Sequence, residues 1–260
     1  MALTEDRIPS PPRPSDDLAK MTLVEHLSEL RNRLIVSIIA VIAMTTVSWF
    51  LYPHLLDFMI RPYHQYFQHH LGRKDISQGQ LVTSSPLEGF TTRLKISGYG
   101  GIALSSPVLL WELWRFITPG LHKNEKRYIV PFVSAAIVLF AGGVTTAIFV
   151  FPKALDWLIN VSGPGVVPLF SPQKYLTLYV LMCLIFGAVF MYPLIVIFLE
   201  LSGVVPSARW RKWRRPAIVI IALIAAVITP SSDPFSFMAM AIPMLIFYEG
   251  AILVGRVLGK

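Results

Sequence analysis

The sequence predicts an all-α integral membrane protein with six transmembrane helices, both termini cytoplasmic and the last two helices short. Three observations carry that expectation. The 260 residues are 54% hydrophobic with a mean hydropathy of +0.60. Long apolar runs recur along the chain, and the basic residues stand between them. A soluble chain of this length would form one or two domains, which these repeated runs argue against. The formal charge of +8 would suit nucleic acid or anionic lipid if it lay on one patch. Spread between apolar runs, it reads as a topology determinant, and nucleic-acid binding is not expected. Cys183 is the only cysteine and sits in an apolar run, which excludes a disulfide framework and a thiol metal cluster.

Residues 1–20 hold Glu5, Asp6, Asp16 and Asp17 with several prolines and no apolar core, so they form a disordered cytoplasmic tail and not a signal peptide. The six-helix domain is expected over 21–255. It opens with TLVEHLSELRNRL at 22–34, where Thr22 and Glu25 have capping-box spacing. Leu23, Leu27, Leu30 and Leu34 give an apolar stripe opposite Glu25, Glu29, Asn32 and Arg33. This amphipathic collar runs straight into the first span, 34–52. The collar therefore holds its carboxylates at the membrane surface.

A loop is expected next, with Pro53, Pro62, His64, His69, His70 and Gly72, and with a short interfacial helix over about 55–67. Ser85, Pro86 and Glu88 signal a new helix start. That helix passes Arg93 and Lys95 and crosses over 96–114. Its Gly98, Gly100, Gly101 and Pro107 point to a close neighbour or a bend. The turn TPGLHKNEKR precedes a third span at 128–151. A Pro-rich loop with Ser171-Pro172 as cap signal leads to the fourth, 175–199, which Pro193 should bend. The basic loop ARWRKWRR separates it from the fifth, 216–229, and Ser232-Asp233-Pro234 turns the chain into the sixth, 235–254. Residues 256–260 form a cytoplasmic end.

The fifth span and the apolar-rich stretch of the sixth between Phe235 and Glu249 each have about 14 residues, covering roughly 21 Å against a hydrocarbon core of about 30 Å. Such a hairpin would thin the bilayer locally. Most of the 23 basic residues fall at the termini, in the turn around Lys123 and in the basic loop around Arg211. That asymmetry places both termini in the cytoplasm.

Enzymatic motifs are absent: no GxxxxGK[ST], HExxH or GxSxG occurs. No enzymatic activity and no cofactor are expected. The histidines at 64, 69 and 70 read as a solvated loop and not as a metal site. Glu112, Glu200 and Glu249 fall near helix ends, where each can snorkel or pair with a neighbouring base. On the basic surface, Glu29 and Glu125 can receive an incoming guanidinium in bidentate hydrogen bonds. Each can equally pair locally, Glu29 with Arg33 at i,i+4 and Glu125 with Lys123, Lys126 or Arg127.

HLSELRNRL at 26–34 resembles the N-terminal signature of the TatC family, the multi-span core of twin-arginine protein translocation. SPVLLWELWRFITPGLHKNEKR at 106–127 resembles its second signature. ITPSSDPFS at 228–236 and AIPMLIFYEG at 241–250 resemble its last hairpin. The resemblance covers about 21–255. It implies six helices in a bacterial or archaeal cell (inner) membrane and binding of the signal peptides of folded cargo. It also implies assembly with TatA- and TatB-like single-span subunits and use of the proton-motive force. Glu29 and Glu125 match the family glutamates that contact the paired arginines. Leu30, Arg31, Phe116, Pro119 and Lys123 match positions that support that site, and Pro62 matches a periplasmic-loop proline.

One departure stands out. Where family members often carry a polar residue that faces a single-span partner, this chain has Met191, followed by Tyr192 and Pro193. Docking through Met191 and Tyr192 would then be mostly apolar. Self-association is left open. The rival class is a small-molecule secondary transporter. Scarce mid-membrane charges and the lack of an inverted repeat count against it.

Overall fold

The computed structural model describes residues 23–70, 81, 83, 85–117, 129–163, 170–201 and 207–257. Eight helices and no strand occur among them: α1 (Leu23–His70), α2 (Pro86–Ile117), α3 (Ile129–Asn160), α4 (Pro172–Phe190), α5 (Tyr192–Leu201), α6 (Ser207–Lys212), α7 (Arg214–Ile228) and α8 (Pro234–Val257). Four stretches are long and apolar enough to cross a membrane, within 25–66, 130–160, 172–200 and 234–254. The tail before residue 23 and the end after 257 lie outside the described residues.

The longest element departs from expectation. The loop and separate short helix expected after residue 52 are replaced by unbroken helix, so α1 runs for 48 residues through Pro53 and Pro62. A proline removes the donor that the carbonyl four residues earlier would use. For Pro53 that carbonyl belongs to Trp49, and Arg93 Nη2 of α2 donates to it at 3.1 Å. Near Pro62 the Tyr175 hydroxyl of α4 donates to Met59 O at 2.9 Å. At Pro53 a neighbouring helix thus supplies the donor that sequence alone shows only as lost, while beside Pro62 the Tyr175 bond ties α4 to α1. At about 1.5 Å per residue α1 would extend roughly 72 Å, more than twice a bilayer core. Its later part folds into the protein instead: Met59 and Tyr63 are buried, and Tyr63 packs edge-on to Tyr175 and Phe170.

Local signals set the other helix starts. Ser171 caps α4, its Oγ accepting from Lys174 N, with Pro172 in the first turn. Asp233 caps α8 by accepting from Ser236 N at 2.8 Å. Glu88 N bonds Ser85 O at 3.0 Å, while the Glu88 carboxylate reaches across to Ser171 Oγ and to Gln173 N at 3.4 Å. That contact fixes the start of α2 beside the start of α4. The expected bend at Pro193 appears as a break at Met191, whose N–H turns back to Ala188 O and Val189 O.

The core gathers where α3, α4 and α8 meet, around Phe151, Leu176, Met182, Phe186 and Met240. At Gly143 the backbones of α3 and α4 come so close that a Cβ would stand 2.7 Å from the Phe186 carbonyl carbon. The outer faces are apolar, with Ile39, Ile42, Phe50, Phe149 and Val227 well exposed. That surface suits lipid and not water. The expectation of two short final helices holds only for α7, whose 15 residues cover about 22 Å. By contrast, α8 has 24 residues and continues past Glu249, which is half exposed and pairs with Arg214 at 2.5 Å.

Candidate functional site

The amphipathic collar forms as its pattern demands, as the first turns of α1. Glu29 and Arg33 fall one helical turn apart on one face. Arg33 Nε donates to Glu29 Oε1 at 3.0 Å, and Nη2 donates to the same oxygen. The local i,i+4 pair therefore forms. It does not stand alone, because Arg33 Nη1 donates to Glu112 Oε2 of α2 at 3.0 Å. One guanidinium bridges two helices and two carboxylates, all three side chains being more than four-fifths buried. A ring contact closes the junction: His26 stacks on Phe116 with centroids 4.5 Å apart and planes 18° from parallel.

These residues border a groove of about 590 Å³. Glu25, Glu29 and Glu112 supply its acidic groups, and Arg33 and Arg115 its basic ones, with Ser28 and Asn32 between. The Oε2 atom of Glu29 is buried and accepts no hydrogen bond from any of the described residues. A buried carboxylate oxygen without a donor is costly, so the site holds an acceptor with capacity to spare.

Of the sequence-predicted residues, the structure brings Glu29 and Phe116 to this junction. Leu30 is 42% exposed and Arg31 is exposed, and neither lines the groove. Pro119, Lys123 and Glu125 lie outside the described residues. Arg33 and Glu112 are the members that pattern reading did not assign to the site. The WELW segment suggests only that Glu112 lies near a helix end, and its partner is 79 positions away.

The second predicted locus lies at the α4–α5 break. Met191 packs on a small cluster of Leu110, Ala136 and Leu194, which joins α2, α3 and α5. Tyr192 packs on the main core, and both are half-buried. Ile195, one turn on, is 61% exposed. Pro62 is embedded in α1 and not in a loop. Among the described residues no three His, Cys, Asp or Glu side chains gather to hold a metal ion.

Known proteins share both sequence and shape with this chain. The family described as Sec-independent protein translocase protein (TatC) matches residues 25–243. A protein of that name from Frankia casuarinae is 39% identical over 243 residues, covering 91% of this chain, which spans 66% of that relative. Another, from Koribacter versatilis, is 38% identical over 235 residues, covering 89% of this chain and 83% of the relative. A crystal structure of a twin-arginine translocase receptor, TatC, in the detergent DDM superposes with a TM-score of 0.72 at 33% identity, covering 89% of this chain and 99% of that one. The match spans the collar, the groove and the start of the final helix alike. This chain belongs to the TatC family and is a membrane component of Sec-independent protein translocation.

Proposed function

We propose that this protein is the receptor subunit of a twin-arginine translocase and binds signal peptides through a carboxylate pair, Glu29 and Glu125. The observation that carries the reading is the bond between Glu29 and Arg33: the site already binds a guanidinium, in a groove with an unfilled acceptor. Guanidinium forks match carboxylates in two parallel bonds, whereas an ammonium offers a single point charge. Leu30, Arg31, Phe116, Pro119 and Lys123 shape the surface around that pair.

In this reading the chain crosses the cell membrane six times, with α2 and α7 joining the four apolar stretches. Both termini are cytoplasmic, which sets the groove on the cytoplasmic face, as the basic-residue asymmetry supports. Cargo binding recruits small single-span subunits of the TatA and TatB kind, which dock along α5 beside Met191 and Tyr192. The proton-motive force drives passage. Thinning of the bilayer is confined to α7, whose length falls about 8 Å short of the core. A cell lacking its own TatC-family subunit tests the reading. Export of a folded reporter with a paired-arginine signal should return with the wild-type chain and fail with Glu29→Ala or Glu125→Ala. Full export by both variants would reject the carboxylate pair.

A further inference from the structure

At the collar, two carboxylates share one guanidinium. All of Arg33's hydrogen bonding to Glu29 falls on Oε1, which leaves Oε2 without a donor among the described residues, while the remaining arm reaches Glu112. Arg33 thus stands where a ligand guanidinium would stand if Glu29 is the recognition carboxylate. Oε2 alone offers an incoming arginine a single bond; the two-armed contact with Glu29 requires Arg33 to give up Oε1, and Arg33 cannot yield into a buried position with no acceptor.

We propose that Glu112 is a specificity-determining residue of the peptide site: it retains Arg33's guanidinium when a peptide arginine displaces it from Glu29. The proposal rests on the reading that paired arginines bind at Glu29. Before binding, two carboxylates hold one guanidinium. After binding they hold two, one each, so the charge of the cluster is balanced only when a ligand is present. Arg115 lines the same groove but is exposed and remains solvated throughout. A peptide lysine gains less from the exchange, because its ammonium cannot replace the two-armed contact that Arg33 gives up. Selection for arginine therefore arises from competition with a resident arginine.

The test uses the full chain in nanodiscs, a fluorescent peptide with paired arginines and the same peptide with paired lysines. Glu112→Gln should weaken the paired-arginine peptide about tenfold and the paired-lysine peptide much less. In the double variant Glu112→Gln with Arg33→Gln, no resident guanidinium competes for Glu29. Binding of the paired-arginine peptide should then return to the wild-type level or above it. A residue that merely tied α1 to α2 would show no such rescue, since the double variant lacks that tie as well. Thermal melting of each variant verifies the fold, and the double variant leaves no orphaned charge between Arg33 and Glu112. Unchanged binding in Glu112→Gln, or a double variant as weak as the single one, would overturn the proposal while Glu29→Ala still abolished binding. If the wild type does not bind, or Glu29→Ala binds normally, the underlying reading fails and the proposal with it.

Discussion

Arg93 of α2 donates at 3.1 Å to the main-chain carbonyl of Trp49 in α1, the one left without a helical donor by Pro53. Its guanidinium carbon also lies 4.3 Å from the Trp49 ring centroid and 5.3 Å from that of Tyr52. A charge-assisted bond of this kind contributes about 1.5–3 kcal/mol and the ring contact about 1 kcal/mol more. Arg93→Met should therefore lower the thermal midpoint in detergent clearly. Adding Pro53→Ala should recover part of the loss, because Ala at 53 has an N–H to offer Trp49 O. No recovery would show that the carbonyl is not what Arg93 serves.

Close approach between α1 and α2 makes a second prediction. A Cβ on Gly101 would stand 2.6 Å from the Thr45 Cα, inside the backbone of α1, whereas one on Gly98 would meet nothing within 4 Å. Gly101→Ala should cost about 1–3 kcal/mol by forcing the helices apart. Gly98→Ala should be neutral or stabilising by up to about 1 kcal/mol, since alanine suits a helix better than glycine. Melting the two variants side by side checks the contrast. Equal midpoints would mean that the helices part without cost.

The far end of the bundle is tied by Glu88, which accepts from Ser171 Oγ and from Gln173 N. Ser171 is also the cap of α4. Ser171→Ala removes both roles and should cost about 2 kcal/mol, against about 1 kcal/mol for loss of a cap alone. In a Glu88→Ala background the same substitution should cost only the cap. A double-mutant cycle by thermal unfolding separates the two, and additive losses would deny the tie.

Glu200, in the last turn of α5, is 1% exposed, and neither of its oxygens has a hydrogen-bond partner among the described residues. Burying such a group costs about 1–3 kcal/mol. Glu200→Leu should raise the thermal midpoint. A lower midpoint would show that the carboxyl has a stabilising role in the membrane.

Elements that rest on nearest neighbours were legible in the sequence. The cap at Ser171, the turn at Ser232-Asp233-Pro234, a bend near Pro193, the apolar runs and the collar all depend on residues within one or two turns. Failures came where a distant group decides. Pro53 and Pro62 read as loop residues because only folding brings Arg93 to the carbonyl that Pro53 orphans and packs α4 through Tyr175 against α1 beside Pro62. Glu249 read only as a carboxylate near a helix end, because its partner Arg214 lies on another helix. At the collar, the pairing of Glu29 with Arg33 was one of two readings the spacing allowed, and Phe116, singled out from the family resemblance, stacks on His26 there. Glu112 was seen only as a helix-end carboxylate able to pair with some base. Its place beside Arg33 depends on how α1 crosses α2, which no local pattern records.

The most direct measurement is the affinity of the purified protein, in nanodiscs, for a signal peptide with paired arginines against its paired-lysine counterpart. The account predicts a preference of at least about tenfold for arginine, removed by Glu29→Ala and separately by Glu125→Ala. Equal affinity for the two peptides, or a preference that survives both substitutions, would contradict it.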